Sequence, residues 1–132
     1  MSVYIHGGLR SPIGVLNGQY KHMRPEMLGA QLINELVRRH AISQVDGIFC
    51  GNAVGTGGNI GRLMGLMCNL PNSVPAITVD MQCASALMSI EMAYTHIASG
   101  VMDAAIAGVL KAPPYNPIES MQLEMIEKVY IR

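Results

Sequence analysis

Three cysteines occur in this chain, Cys50, Cys68 and Cys83, and one of them stands where a thiol can act as a nucleophile. The run Val79-Asp80-Met81-Gln82-Cys83-Ala84-Ser85-Ala86-Leu87 reads as an apolar strand, a short turn, and a helix that opens at Cys83. The first backbone N–H groups of a helix lack intrahelical partners and carry the positive end of its dipole. A thiol placed there is biased toward thiolate, the nucleophilic form. The same N–H groups can stabilise an oxyanion on an attached acyl group. Free cysteine is also among the most buried residue types, so position alone leaves a plain core role for Cys83 open. Cys50, in an apolar strand, and Cys68, in a Met-rich helix, are expected to be inert core thiols.

The elements that must position Cys83 follow from periodicity and punctuation. Val3 to His6 is a β-prone run ended by Gly7-Gly8, so it is expected to be strand one with His6 at its carboxyl end. Pro25 opens a helix with Met27, Leu28, Leu32 and Leu36 at helical spacing and Arg38, Arg39 and His40 in its last turn. Val45 to Cys50 is strand two, and Gly51 to Gly61 is a glycine-rich loop. Arg62 to Asn69 is a short helix, and Ala76 to Asp80 is strand three. Helix three runs from about Cys83 to Ser99. Leu87, Ile90, Tyr94 and Ile97 at helical spacing, with alanines over much of the rest, predict that it is buried. Asp103 to Gly108 is strand four. Strands alternating with helices predict an α/β fold, with a mixed, mainly parallel sheet and a central buried helix carrying Cys83. Residues 1–110 read as one incomplete domain and 111–132 as a proline-broken linker and tail, whose stretch from Ile118 to Arg132 is expected to be an amphipathic helix with Met121, Met125 and Val129 on one stripe.

Composition narrows the functions. Nine basic and nine acidic residues cancel, and Arg38-Arg39 is the longest basic run, so nucleic-acid binding has no electrostatic footprint. No apolar run reaches the roughly 18 residues of a membrane span. An odd cysteine count without a C-x-x-C pair, and no signal-peptide pattern, read as a reduced, cytoplasmic protein. Half the residues are hydrophobic and eleven are methionine, which fits surface hidden against a partner or simply a Met-rich core. No His, Cys or carboxylate grouping has metal-ligand spacing, so no metal is expected. Gly55 to Gly61 invites a dinucleotide-binding reading, but that fingerprint needs glycine where Ile60 stands.

A thiol nucleophile usually has an adjacent general base. His96 lies roughly 20 Å along the nucleophile's own helix and cannot reach. His40 closes the first helix at the end opposite the strand carboxyl termini where α/β sites form. His22 reads as surface beside Lys21 and Arg24, which leaves His6 as the one candidate by location.

Arg10-Ser11-Pro12-Ile13-Gly14, Gly51-Asn52-Ala53-Val54-Gly55, Gly58-Asn59-Ile60-Gly61-Arg62, Leu70-Pro71, Val74-Pro75-Ala76-Ile77-Thr78-Val79 up to Cys83, and Gly100 to Gly108 together resemble the N-terminal half of a thiolase. The resemblance covers about 100 of the 132 residues, with the motifs in family order. It implies a fold of the βαβαβαββ type and a homodimer, with the glycine-rich loop at the dimer interface; Arg62 is read as a structural residue binding backbone carbonyls across that interface, in preference to a substrate role. It also implies an acyl-S-enzyme on Cys83, formed in thiolytic cleavage or Claisen condensation of acyl-CoA thioesters. Coenzyme A enters as part of the substrate, and no tightly bound cofactor is expected. Ala86 departs from a family glycine, and Glu119-Ser120-Met121 comes late, after the proline loop. The family's G-H-P histidine, C-x-G-x-G cysteine and N-E-x-x asparagine have no counterpart here. The chain is therefore expected to be a half-site, completed by a second copy or by a complementing C-terminal half. Two alternatives stand beside it: a non-catalytic fragment or assembly module, and another condensing enzyme of the same superfamily.

Overall fold

The structure, a computed structural model, describes residues 2–15, 18–53, 58–110 and the backbone of 127–131. The elements are β1 (Ile5–Arg10), α1 (Pro25–Arg39), β2 (Gly47–Asn52), α2 (Ile60–Met67), β3 (Ala76–Val79), a 3-10 turn (Gln82–Ala84), α3 (Ser85–Ala98), β4 (Ala105–Leu110) and β5 (Glu127–Ile131). The order is the one the family resemblance implies. The strands form one sheet in the order β1-β5-β4-β2-β3. β4, β2 and β3 run parallel, whereas β5 lies antiparallel between β1 and β4. The sheet is thus mixed and mainly parallel, as expected.

Local chemistry explains the helix ends. Pro25 occupies the first turn of α1, where its missing N–H costs nothing, and Glu26 there is buried and paired with Arg24. Asn59 caps α2 by accepting the Arg62 N–H at 3.1 Å, a cap worth about 1 kcal/mol. The Asn59 Nδ2 donates to the Ala76 carbonyl, and Thr78 Oγ1 accepts the Gly61 N–H and donates to Asn59 Oδ1. The Arg62 guanidinium donates to the Val74 and Asn72 carbonyls of its own chain. Arg62 is therefore a carbonyl-binding structural residue, here locking α2 to the approach of β3.

Side chains of the central strands alternate between two cores. Ile48, Cys50, Ile106 and Leu110 pack beneath α1 and α2, against Leu28, Ile33, Leu36, Ile60 and Met64. Phe49, Ala105 and Ala107 face the other way, against Ala93 and Ile97 of α3. Both faces of β2 are covered, so its sequence is apolar without alternation.

α3 meets the sheet through a seam of mostly small residues, Ser85, Ser89, Ala93 and Ile97, spaced by four. Ser89 Oγ is within hydrogen-bonding reach of both the Gly108 and Ala86 carbonyls, at 3.0 and 2.7 Å. Gly51 lets the first turn of α3 come closest: a Cβ there would lie 2.7 Å from the Ser85 carbonyl oxygen.

Three expectations are corrected. First, α3 is not a buried helix. Only the sheet-facing seam is buried, and Leu87 and Tyr94 are 69% and 52% exposed, because nothing among the described residues packs over that side. Second, β1 continues through Gly7 and Gly8 to Arg10, so His6 lies at its amino end. Glycine inside a strand marks close approach, and here the His40 ring lies over Gly7, 2.5 to 2.8 Å from where a Cβ would be. Third, residues 127–131 are the strand β5 and not part of an amphipathic helix. Val129-Tyr130-Ile131 are good strand formers, and the slot between β1 and β4 supplies ladder partners on both sides. Met121, Met125 and the rest of that expected helix lie outside the described residues. No helix among the described residues is long and apolar enough to cross a membrane.

Asp46 ties the amino ends of β2 and β4 together. Its carboxylate accepts the N–H groups of Asp103 (2.8 Å) and Ala104 (3.0 Å) and the Gln44 side-chain amide (2.9 Å). The Gln44 amide, with the two backbone N–H groups, outweighs partial burial and holds the Asp46 carboxyl below its usual range. Its folded value is depressed, so its contribution is fully present above the unfolded carboxyl value near ~4 and fades as pH falls through the folded one. Asp46→Asn should cost about 1 kcal/mol at neutral pH. The deficit, measured by chemical denaturation, should shrink below about pH 4, and a pH-independent deficit would rule out the carboxylate bridge. Gly51→Ala should destabilise by about 1–3 kcal/mol, since the clash is with α3 backbone and not a flexible side chain. An unchanged thermal midpoint would show that α3 docks less tightly than described.

Candidate active site

β3 delivers the chain to the carboxyl edge of the sheet, and the next residues turn sharply into α3. Cys83 sits in the 3-10 turn that precedes α3 and is exposed, whereas Cys50 and Cys68 are buried as expected. The turn is built around Gln82, whose φ of 52° is left-handed. That conformation costs a side-chain-bearing residue roughly 1–2 kcal/mol and persists only where the surroundings over-determine it. Here they do. The Gln82 N–H donates to Asp80 Oδ1 at 3.0 Å. Its carbonyl accepts both the Ser85 Oγ–H, at 2.7 Å, and the Ser85 N–H. The same Ser85 Oγ accepts the Met81 N–H at 2.8 Å.

The peptide between Gln82 and Cys83 is trans, so its C=O and N–H point in opposite directions. Holding the Gln82 carbonyl inward on Ser85 aims the Cys83 N–H outward, beyond the start of α3. No backbone carbonyl among the described residues accepts that N–H. An exposed thiol and an outward donor thus share one residue at a helix start, an arrangement suited to holding an acyl group and stabilising charge on its oxygen.

The histidines lie elsewhere. His6 and His40 meet edge-to-face at 6.0 Å between ring centroids, at the amino edge of the sheet. The strand register makes this plain: Ile5 is level with Ala105 and Gly47, whereas Arg10 stands toward the carboxyl edge. His96 is in the last turn of α3, its Nδ1 2.7 Å from the Met92 carbonyl and its ring 5.0 Å from that of Phe49. His22 is exposed, in the loop before α1. Among the described residues no hydrogen bond joins any of the four to Cys83, and no group of three or more His, Cys, Asp or Glu could hold a metal ion. The location argument for His6 therefore fails.

Sequence reasoning singled out Cys83 but missed Ser85, Gln82 and Gly51 as parts of its setting. A serine two residues beyond the cysteine was the available signal for Ser85. Nothing in a glutamine announces a positive φ.

The family model for the thiolase N-terminal domain matches residues 3–111. A Staphylococcus aureus protein, provisionally named as an acetyl-CoA acyltransferase, is 34% identical over 120 residues, covering 88% of this chain and 30% of its own length. Bacillus subtilis YhfS, provisionally named as an acetyl-CoA C-acetyltransferase, is 38% identical over 117 residues, covering 89% of this chain and 32% of its own. The crystal structure of the Bacillus anthracis acetyl-CoA acetyltransferase superposes with a TM-score of 0.77 at 29% identity, over 82% of this chain and 28% of that one. The chain thus spans about a third of the length of the curated relatives it matches. With the sheet and the family model in agreement, the chain belongs to the thiolase family and matches its N-terminal domain.

Proposed function

We propose that this chain is the nucleophile-bearing part of a thiolase-type acyltransferase, with Cys83 as the acyl acceptor. The observation that carries the reading is the placement of Cys83, the exposed cysteine, on the constrained turn between β3 and the start of α3. The Cys83 thiolate attacks the carbonyl carbon of an acyl-CoA thioester. The developing oxyanion is met by the outward N–H at the helix start, and collapse expels coenzyme A as its thiolate, which takes up a proton. A second thioester carbanion, or coenzyme A itself, then removes the acyl group in condensation or thiolysis. The acids and bases for those proton transfers come from outside this chain, since no histidine here is bonded to Cys83. That same fact favours a second reading, a non-catalytic module that only assembles.

Incubation with acetyl-CoA followed by intact-mass measurement separates the two. The expected result is one acetyl adduct, lost in Cys83→Ser. Absence of any adduct on the wild-type chain would favour the non-catalytic module.

The assembly proposed with this function is a homodimer through β3. Among the described residues that strand is at the sheet edge; Ile77 on it, level with Phe49 on the α3 face, is 42% exposed, and Leu63, Leu66 and Met67 of α2 are exposed on the other face. An edge with no strand partner among the described residues and with apolar flanks is a template for pairing with a second copy. Light scattering should find a dimer, and Ile77→Lys should shift it toward monomer. A monomeric wild-type chain would leave the complementing C-terminal half as the partner to seek.

A further inference from the structure

We infer that Ser85 is a positioning residue for Cys83: its hydroxyl clamps the Met81–Gln82 turn and so sets the direction in which the nucleophile leaves the sheet. The inference rests on Cys83 being the nucleophile, but its test does not require acyl transfer. Ser85 is fully buried, and its Oγ uses both of its capacities on the turn, accepting from Met81 and donating to Gln82. A serine at the start of a helix usually caps that helix by accepting an N–H two or three residues ahead. Ser85 instead reaches backward and holds the one left-handed residue between β3 and α3. Asp80 holds the same residue from the other side through the Gln82 N–H.

Take away either holder and Gln82 is free to relax to negative φ, where a side chain is at ease. Relaxation at Gln82 rotates the next peptide. Cys83 then loses its place at the positive end of α3, and its N–H no longer points outward. Gly51 makes room for the clamp: a Cβ on Gly51 would lie 2.9 Å from the Ser85 Cβ, so any side chain there would displace Ser85 or β2.

Alkylation of the 132-residue chain by iodoacetamide, followed by intact mass, reads the setting of Cys83 directly. Cys50 and Cys68 are buried, so folded protein takes up one group and unfolded protein takes up three. Ser85→Ala should slow the single alkylation about two- to fivefold at neutral pH, the effect of losing the helix-end field at the sulfur. Asp80→Ala, made at an exposed position, should slow it in the same direction. Adding Gln82→Gly to either variant should restore the rate to within about twofold of wild type, because glycine adopts positive φ at no steric cost. A role in packing alone would not be rescued by that glycine. Wild-type alkylation rates in both single variants, or slowing without rescue while the buried thiols stay protected, would overturn the inference. Should Ser85→Ala take up three groups, the Asp80→Ala pair decides on the same criteria. Failure of acetyl-CoA to label any of these proteins counts against the acyl-transfer reading and leaves the alkylation comparison standing.

Discussion

The docking of α3 on the sheet is the interaction on which the rest depends. A helix can lie this close to a sheet only if both surfaces are stripped of bulk at the contact. Ser85, Ser89 and Ala93 supply the helix side, and Gly51, Ala105 and Ala107 the sheet side. Phe49 and Ile97 fill the wider end, away from Cys83. The tightest point is at Gly51, where a single added methyl would meet the Ser85 backbone. Close packing of this kind fixes the helix start, and Cys83 just before it, relative to the carboxyl edge.

The polarity of the parallel strands then separates two kinds of chemistry. Every strand-to-helix turn of a parallel unit emerges at the carboxyl edge, and Cys83 is there. The helix-to-strand returns emerge at the amino edge, and the His6–His40 pair is there. The divide is geometric, and no side-chain rotation brings those rings to the thiol. The outward side of α3 carries Leu87 and Tyr94 in the open, beside an open groove of about 400 Å³ lined also by Val3, Tyr4 and Ile5. Among the described residues nothing covers this apolar helix face, which begins one turn beyond Cys83.

Much of this was legible in the residues, and the failures have identifiable causes. Helical spacing, Pro25 at a helix start and the Gly-rich interruptions located the elements because each reports a local backbone preference. The βαβαβαββ order was implied by the family resemblance, including a final strand that local periodicity disguised. Met121, Met125 and Val129 are spaced for a helix, yet 127–131 pair as β5, because strand partners on both sides outweigh a weak local period. Gly7-Gly8 read as a strand end for the same reason. A glycine pair is a local stop signal, and only the His40 ring lying over it shows why the strand needs glycine there.

By itself, the sequence determined that a cysteine stands at a strand–turn–helix junction within a thiolase-like order of motifs, since strand, turn and helix signals are short-range. Tertiary structure decided the rest. It put Gln82 in a left-handed conformation that no propensity predicts, held by Asp80 and Ser85 from opposite sides. It sent His6 to the far edge of the sheet and left half of α3 uncovered. Those outcomes depend on which elements pack against which, a long-range matter that spacing along the chain does not encode.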